Sequence, residues 1–204
     1  MSQFTQWAKG YDVSRETYSA LKQFVDVLIE ENSRQNLIGP KTVEDVWDRH
    51  VLDSAQLLDF AGAEWESWLD IGSGGGLPGL VVAIISGRRV TLVEPRKKRA
   101  DFLKGCGVRL GLKVDVVATR AQQMHSQQFD VISARAVAAL PDLFAMTTHL
   151  SGPGTVYVLP KGKRGHEELA SVREDWQGDF RLEPSITDPD SVIVVARNVR
   201  RRGR

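Results

Sequence analysis

The sequence is short of the residues that form disulfides and metal centres. Cys106 is the one cysteine among 204 residues, so neither a disulfide nor a cysteine-based metal cluster can form within the chain. The histidines are scattered without the spacing of metal ligands, at His50, His125, His149 and His166. The sequence therefore predicts no metal site, and the scarcity of cysteine is typical of a reducing compartment.

Long hydrophobic runs are also missing. A helix that crosses a bilayer needs about 20 apolar residues, whereas the longest apolar stretch here covers residues 77–85 and contains Pro78 and Gly79. The N-terminal segment MSQFTQWAKG has no apolar centre of the kind that a signal peptide needs. We therefore expect a cytoplasmic protein with no membrane partner.

Charge of one sign does not dominate, but the basic residues are clustered. The net charge is only +1. Basic clusters in a near-neutral chain indicate one positive face, which suits contact with nucleic-acid phosphates. The alternative interpretation is that the clusters are solvated helix faces and a frayed tail. The clusters are Arg96, Lys97, Lys98 and Arg99; Lys161, Lys163 and Arg164; and Arg197, Arg200, Arg201, Arg202 and Arg204.

The hydrophobic pattern predicts a helical N-terminal part followed by an α/β domain. Apolar residues recur at helical spacing from Val13, with Ser14 as the N-cap, and again over residues 43–60. From Trp65 onward, short strands rich in Val, Ile and Leu alternate with helices, as in a parallel sheet covered on both faces. The predicted strands are 67–71, 90–93, 114–117, 129–134, 155–159 and 192–196, with a weaker one at 180–183; the predicted helices are 78–86, 97–110, 137–149 and 165–176.

These elements define the fold class as α/β. We expect a Rossmann-like, doubly wound domain with a mostly parallel sheet of about seven strands. We divide the chain into a helical N-terminal cap (1–64), the Rossmann-like domain (65–197) and a basic tail (198–204).

The most informative segment is WLDIGSGGGLPG, which covers residues 68–79. An apolar strand is followed by closely spaced glycines, and a helix begins near Pro78, a residue that suits the first helical turn. Such a turn lets a ligand lie against the backbone at the carboxyl end of the first strand. The segment therefore predicts a cofactor site.

Two cofactor classes compete for this loop. The residues from Gly74 to Gly79 match G-x-G-x-x-G, the dinucleotide pattern, and those from Asp70 to Gly76 match D-x-G-x-G-x-G, the pattern of class I methyltransferases. Asp70 favours the second, because a carboxylate opposes a pyrophosphate and attracts the ammonium and sulfonium of S-adenosylmethionine. Glu94 ends the second strand, 20 positions after Gly74, where an acid accepts hydrogen bonds from the ribose of either cofactor.

Several motifs together carry a resemblance to a known family. They are Asn36-Leu37, RHVLDS, DIGSGGGLPGL, VEPRKKRADFL, FDVISARAVAAL and LPKG, in this order. From about Tyr18 to Ala196 the chain resembles the bacterial small-subunit ribosomal RNA methyltransferase G family, also called glucose-inhibited division protein B. The resemblance implies transfer of a methyl group from S-adenosylmethionine to N7 of a guanine in 16S ribosomal RNA.

The resemblance also implies the cofactor contacts. Residues 121–122 fall beside the adenine, although the family usually has an acid where Gln122 stands. Arg135 falls beside the methionine end of the cofactor; the alternative is that it caps a strand end. The predicted cofactor-binding residues are Asp70, Gly72, Gly74, Gly76, Leu77, Glu94, Ala121, Gln122 and Arg135.

Methylation of N7 needs no general base, because this neutral nitrogen can attack the methyl group directly. Catalysis then rests on alignment; we identify no catalytic residue and take Arg135, Asp53 and Lys161 as positioning candidates. His50 and Asp53 share a face of a predicted helix, which either lines the entrance of the cofactor or the RNA, or pins the cap to the sheet. The RNA-binding candidates are His50, Arg96, Lys97, Lys161, Lys163, Arg164, Arg200 and Arg201.

The sequence leaves other functions open. A small-molecule methyltransferase would share the cofactor loop but needs a closed apolar pocket. A nicotinamide-dependent oxidoreductase is disfavoured by Asp70, and a non-catalytic RNA-binding protein could hold the cofactor structurally. The resemblance points instead to 16S ribosomal RNA or the small ribosomal subunit as partner, with no DNA, and we expect a monomer.

Overall fold

The described chain, residues 3–203, is built around a seven-stranded sheet in this computed structural model. The strand order is β3-β2-β1-β4-β5-β7-β6, with β1 to β5 parallel and β7 antiparallel to both of its neighbours. This arrangement confirms the predicted fold class. The strands are β1 (Trp68–Ile71), β2 (Val90–Val93), β3 (Val114–Val117), β4 (Val131–Ala134), β5 (Val156–Lys161), β6 (Trp176–Pro184) and β7 (Val192–Arg201).

Helices cover both faces of the sheet. The helix α2 begins as predicted, because the Ser14 hydroxyl accepts the Thr17 N–H at 3.1 Å. The helices are α1 (Gln3–Gly10), α2 (Arg15–Gln35), α3 (Asp53–Ala55), α4 (Leu58–Ala61), α5 (Gly79–Ser86), α6 (Lys97–Arg109), α7 (Leu140–Thr147) and α8 (Gly165–Asp175), with short 3₁₀ turns at Pro40–Thr42, Ala121–Gln123 and Thr148–Leu150. No helix among residues 3–203 is long and apolar enough to cross a membrane.

The N-terminal helices differ from the prediction in two ways. The helix predicted over residues 43–60 is broken into a π-helical turn, Trp47–Leu52, followed by α3 and α4. The helix α1 was not predicted; it is held by the Phe4 N–H, which donates to the Asp48 carboxylate at 2.9 Å. Met1 and Ser2, the first residues of the predicted cap, lie outside the described residues.

Two apolar clusters hold the layers together. The first buries Phe24 and Leu28 of α2 against α5, and the second packs Phe144 of α7 and Val172 of α8 on the opposite face of the sheet. Each fully buried side chain of this size contributes roughly 1.5–3 kcal/mol to folding. The cap is therefore fixed beside the carboxyl ends of the parallel strands, where the glycine loop lies.

The strand β7 is longer than predicted and extends into the segment 198–204 that the sequence assigns to a basic tail. Its register pairs Val192 with Lys161 and Arg197 with Val156, so β7 runs from the carboxyl edge of the sheet past the amino end of β5. At about 3.4 Å per residue, Arg200 and Arg201 lie roughly 30 Å from Val192. Arg204, the last residue of the predicted tail, lies outside the described residues.

Candidate active site

The glycine loop connects β1 to α5 at the carboxyl edge of the sheet. The Gly72 N–H donates to the Val93 carbonyl at 2.8 Å, which ties the loop to β2. Gly72 has φ +66°, and a Cβ built on it would lie 2.6 Å from Cγ2 of Val137, which follows β4. Only glycine therefore fits at position 72, in both conformation and space, because the Val137 side chain packs directly against it.

Asp70 lies beneath this loop rather than at its surface. The side chain is 0% exposed. Its Oδ2 accepts the Gly79 N–H at 3.2 Å, and its Oδ1 accepts the Ser133 hydroxyl at 2.8 Å. Ser133 Oγ in turn accepts the indole N–H of Trp68 at 2.8 Å. The Asp70 carboxylate therefore holds the first turn of α5 against β1 and β4, and its part in cofactor binding stays a prediction.

Burial raises the pKa of Asp70 from 3.8 to about 6, against the lowering effect of hydrogen bonds from Ser133, Ser73 and Gly79. The folded protein keeps this proton at pH values where the unfolded chain has lost it, so the contribution of Asp70 to the free energy of unfolding falls as pH rises from about 4 to about 6. Asparagine at position 70 does not titrate. As pH rises through this window, we therefore expect the free energy of unfolding of Asp70→Asn to rise by up to about 3 kcal/mol relative to that of the unsubstituted protein. Urea denaturation at both ends of the window measures the gain; a pH-independent difference between the two proteins would contradict it.

Glu94 is also anchored by the backbone. Its Oε2 accepts the Gly74 N–H at 3.0 Å, and its Oε1 accepts the Arg96 N–H at 2.8 Å. The side chain is only 3% exposed, yet each carboxylate oxygen can accept a second hydrogen bond. Ala121 and Gln122 lie in the 3₁₀ turn after β3, at the same edge of the sheet, with Ala121 buried and Gln122 exposed.

Arg135, at the carboxyl end of β4, contacts His50 and Asp53, the two predicted site residues on the cap. Its Nη1 lies 3.1 Å from His50 Nδ1 and 3.2 Å from Asp53 Oδ2. Because guanidinium nitrogens only donate, Nδ1 must accept, and Nε2–H of His50 must then donate to Thr42 Oγ1 at 2.7 Å. Burial, together with the charges of Arg135 and Arg49, lowers the pKa of His50 to about 4, so its ring is neutral at pH 7.

Two cavities meet at Arg135. One, of about 340 Å³, lies against the cap and is lined by Ile38, His50, Asp53, Arg135, Thr187 and Ser191. The other, of about 470 Å³, we name the acceptor cleft; it is lined by Asp53, Arg135, Val137, Lys161, Arg164 and Ser191. Next to Arg135, Ala136 has φ +55°, a conformation that costs a residue with a side chain about 1–2 kcal/mol. This backbone turn carries the chain from β4 between the two cavities.

The structure separates the predicted RNA contacts. Lys161 is held internally, because its Nζ donates to the Ala138 carbonyl at 2.7 Å and pairs with Glu168 at 2.8 Å. His50 is buried, with both ring nitrogens in contact with protein groups. The exposed candidates at the carboxyl edge are Arg96 and Lys97 at the start of α6, and Lys163 and Arg164 before α8; Arg200 and Arg201 lie at the opposite edge.

Several residues of the site were not predicted. Val137 packs over Gly72, and Thr42 holds His50. The loop of residues 185–191, between β6 and β7, contacts Asp53 through Thr187 and borders both cavities. The contact joins positions far apart in sequence. Asp53 lies in the RHVLDS motif, whereas the loop has no motif, and its polar composition is the one signal that it gives.

Comparison with known proteins agrees with this geometry. The profile of the family described as rRNA small subunit methyltransferase G matches residues 17–187. A protein of that name from Zymomonas mobilis is 44% identical over 195 residues, 92% of this chain and 88% of the relative. One from Rhizorhabdus wittichii is 44% identical over 202 residues, 97% and 93% of the two chains. The solved O-methyltransferase from Bacillus cereus, in complex with SAH, has a TM-score of 0.58 at 18% identity, over 86% of this chain and 91% of that chain.

The sheet order, the glycine loop after β1 and this structural likeness define the fold of a class I S-adenosylmethionine-dependent methyltransferase. The sequence comparisons go further than the fold. The chain belongs to the ribosomal RNA small subunit methyltransferase G family, and the resemblance found in its motifs is confirmed.

Proposed function

We propose that this protein transfers the methyl group of S-adenosylmethionine to N7 of a guanine in 16S ribosomal RNA, as a monomer in the cytoplasm. The observation that carries the proposal is the state of Arg135. Its Nη1 is used by His50 and Asp53, whereas its Nε and Nη2 have no hydrogen-bond partner within residues 3–203. These two donors form a planar fork that matches a carboxylate.

The residues around the loop fit S-adenosylmethionine. The glycine loop turns at the carboxyl end of β1 with Gly72, Gly74 and Gly76 at positive φ, which suits a ligand bound at this edge of the sheet. Glu94, oriented by two backbone N–H groups, suits the ribose hydroxyls, and the free fork of Arg135 suits the methionine carboxylate. When bound, the cofactor supplies an electrophilic methyl group on its sulfonium.

The acceptor cleft suits a base presented by RNA. Its rim residues Val137, Gly162 and Arg164 are exposed, so the cleft is open to a large substrate. The Asp53 carboxylate lines it and is placed to stabilise the positive charge that develops on the base. Arg164 lines its rim, and Lys163, the preceding residue, is exposed and pairs at the surface with Asp190 at 2.7 Å. Because a surface ion pair of this kind is weak, both side chains suit the phosphates on either side of the methylated nucleotide.

The competing functions fit less well. A small-molecule methyltransferase needs a closed apolar pocket, whereas this cleft has charged residues and an exposed rim. A dinucleotide-binding enzyme uses the first N–H groups of the helix after the glycine loop to bind pyrophosphate. Here the Gly79 N–H is already bonded to the Asp70 carboxylate.

Incubation with methyl-labelled S-adenosylmethionine tests the proposal. The acceptors are small ribosomal subunits from a strain that lacks this gene, and the label is mapped by nuclease digestion and mass spectrometry. We expect label on N7 of one 16S guanine. Cofactor binding by calorimetry without label on subunits or on free 16S RNA would contradict the proposal and favour a small-molecule acceptor or a non-catalytic binding protein.

Two pairs of exposed basic residues, at opposite edges of the sheet, give a matched test of where RNA binds. We expect Lys163→Gln with Arg164→Gln to reduce the slope of log affinity against log salt for 16S RNA by about 1–2, because each lost phosphate contact removes roughly 0.7–0.9. The charge-matched double variant Arg200→Gln with Arg201→Gln removes the same charge roughly 30 Å away and should leave the slope near its original value. Equal changes in the two variants would show that RNA also reaches the opposite edge of the sheet.

A further inference from the structure

We propose that Gln56 and Thr187 are positioning residues for methyl transfer, which fix the Asp53 carboxylate and, through it, the guanidinium of Arg135. The inference rests on the proposed function in so far as Arg135 is assigned to the cofactor. It gives the loop of residues 185–191, which joins β6 to β7, a defined part in a site otherwise formed by the cap and the parallel strands.

The two carboxylate oxygens of Asp53 have separate partners. Oδ1 accepts the Gln56 amide at 3.0 Å and the Thr187 hydroxyl at 3.0 Å, and Oδ2 accepts Nη1 of Arg135 at 3.2 Å. The ion pair is partly buried, with 21% of the Arg135 side chain and 17% of the Asp53 side chain exposed. Rotation of the carboxylate would break the contacts on Oδ1, so these contacts fix the direction in which Oδ2 points.

Gln56 brings the loop to Asp53. Its side chain is 1% exposed, and a buried amide must be hydrogen-bonded to avoid a large cost. Its Oε1 accepts the Ile186 N–H at 3.0 Å, and its Nε2 also donates to Ser185 Oγ at 3.2 Å. Gln56 therefore holds the backbone next to Thr187 while it contacts Asp53 directly, so the loop and the carboxylate are positioned by the same side chain.

A fixed carboxylate matters because the Arg135 side chain is long and has many rotamers. Holding such a side chain in one geometry costs rotamer entropy, and His50 supplies only one neutral acceptor for it. With Nη1 anchored by Asp53, the fork of Nε and Nη2 keeps one orientation. A site that depends on alignment is sensitive to displacements of about 1 Å.

Substitutions at Thr187 test the inference, because this residue is half-buried in a loop and the changes are small. We expect Thr187→Val, which removes the hydroxyl at constant volume, to weaken binding of S-adenosylhomocysteine about fivefold and to lower kcat/KM for methylation by at least as much. Thr187→Ser keeps the hydroxyl and should restore both. Thr148→Val, which removes a hydroxyl that donates to the Phe144 carbonyl of α7 at 2.7 Å, is the matched control and should change neither.

A double-mutant cycle separates positioning from general loss of structure. If Thr187 acts through Asp53, Thr187→Val should change binding less than twofold in an Asp53→Asn background. A full fivefold loss in that background, or no loss in the Asp53 background, would overturn the inference. Arg135→Lys distinguishes failure of this inference from failure of the proposed function. If Arg135→Lys binds the cofactor normally, the assignment of Arg135 to the cofactor is wrong. If Arg135→Lys binds the cofactor weakly while Thr187→Val binds it normally, only the positioning role of Thr187 is wrong.

Discussion

Arg135→Lys is expected to weaken S-adenosylmethionine binding about 10- to 100-fold. Lysine keeps the positive charge and can still pair with Asp53, but it lacks the planar fork of Nε and Nη2 that remains free in the structure. Hydrogen bonds to a charged group contribute about 1.5–3 kcal/mol each, and each 1.4 kcal/mol is a tenfold change in affinity. Calorimetry with S-adenosylmethionine, without RNA, measures the effect directly.

The same substitution elsewhere supplies the control. Arg89 lies just before β2, at the amino edge of the sheet, where it is exposed and pairs with Asp115. Arg89→Lys should therefore leave the affinity for S-adenosylmethionine unchanged. Normal cofactor binding by Arg135→Lys together with lost methylation would contradict the assignment to the methionine carboxylate. Arg135 would then contact the RNA in the acceptor cleft instead.

The cofactor side of this site could be predicted from the sequence because its information is local. Strand, glycines and helix follow one another within residues 68–86, and the parallel topology brings the end of β2, with Glu94, to the same edge. Strands of alternating βα units pair in few ways. The fold class and the position of the cofactor loop follow from these short-range patterns.

The acceptor side depends on contacts between distant residues, which no spacing rule gives. Asp53 meets Thr187 across 134 positions, and Lys161 meets the Ala138 carbonyl across 23; Lys161 also pairs with Glu168 of the following helix, α8. The sequence shows that Lys161 follows a strand at the correct edge; it does not show that the ammonium is already paired. The same holds for Asp70, whose position in the motif was clear and whose burial under the loop was not.

The length of β7 explains the difference between the predicted basic tail and the observed structure. The segment 198–204 is rich in arginine and was predicted to be a basic tail. In the structure β6 and β7 form a ribbon that continues past the end of β5, and there both strands have exposed residues. A two-stranded edge ribbon tolerates charge, and its arginines are thereby carried away from the active edge.

Gly72→Ala is expected to lower methylation about 100-fold while the protein remains folded. The new Cβ would lie 2.6 Å from Cγ2 of Val137, so either the glycine loop or the chain after β4, which carries Arg135, must move. A displacement of about 1 Å in an alignment-dependent site costs roughly 100-fold in rate. Single-turnover methylation of small subunits measures the rate, and thermal unfolding reports whether the variant is folded.

Gly87→Ala separates conformational strain from the clash. Gly87 ends α5 at φ +65°, almost the same φ as Gly72, but a Cβ there meets nothing within 4 Å. Both variants should lose about 1–2 kcal/mol of stability from the left-handed conformation, and only Gly72→Ala should lose activity. Adding Val137→Ala leaves the nearest Val137 atom 3.7 Å from the new Cβ, an ordinary contact, and should recover a large part of the rate. If the double variant is as inactive as Gly72→Ala alone, the steric explanation is wrong, and the methyl group at position 72 must instead block the ligand directly.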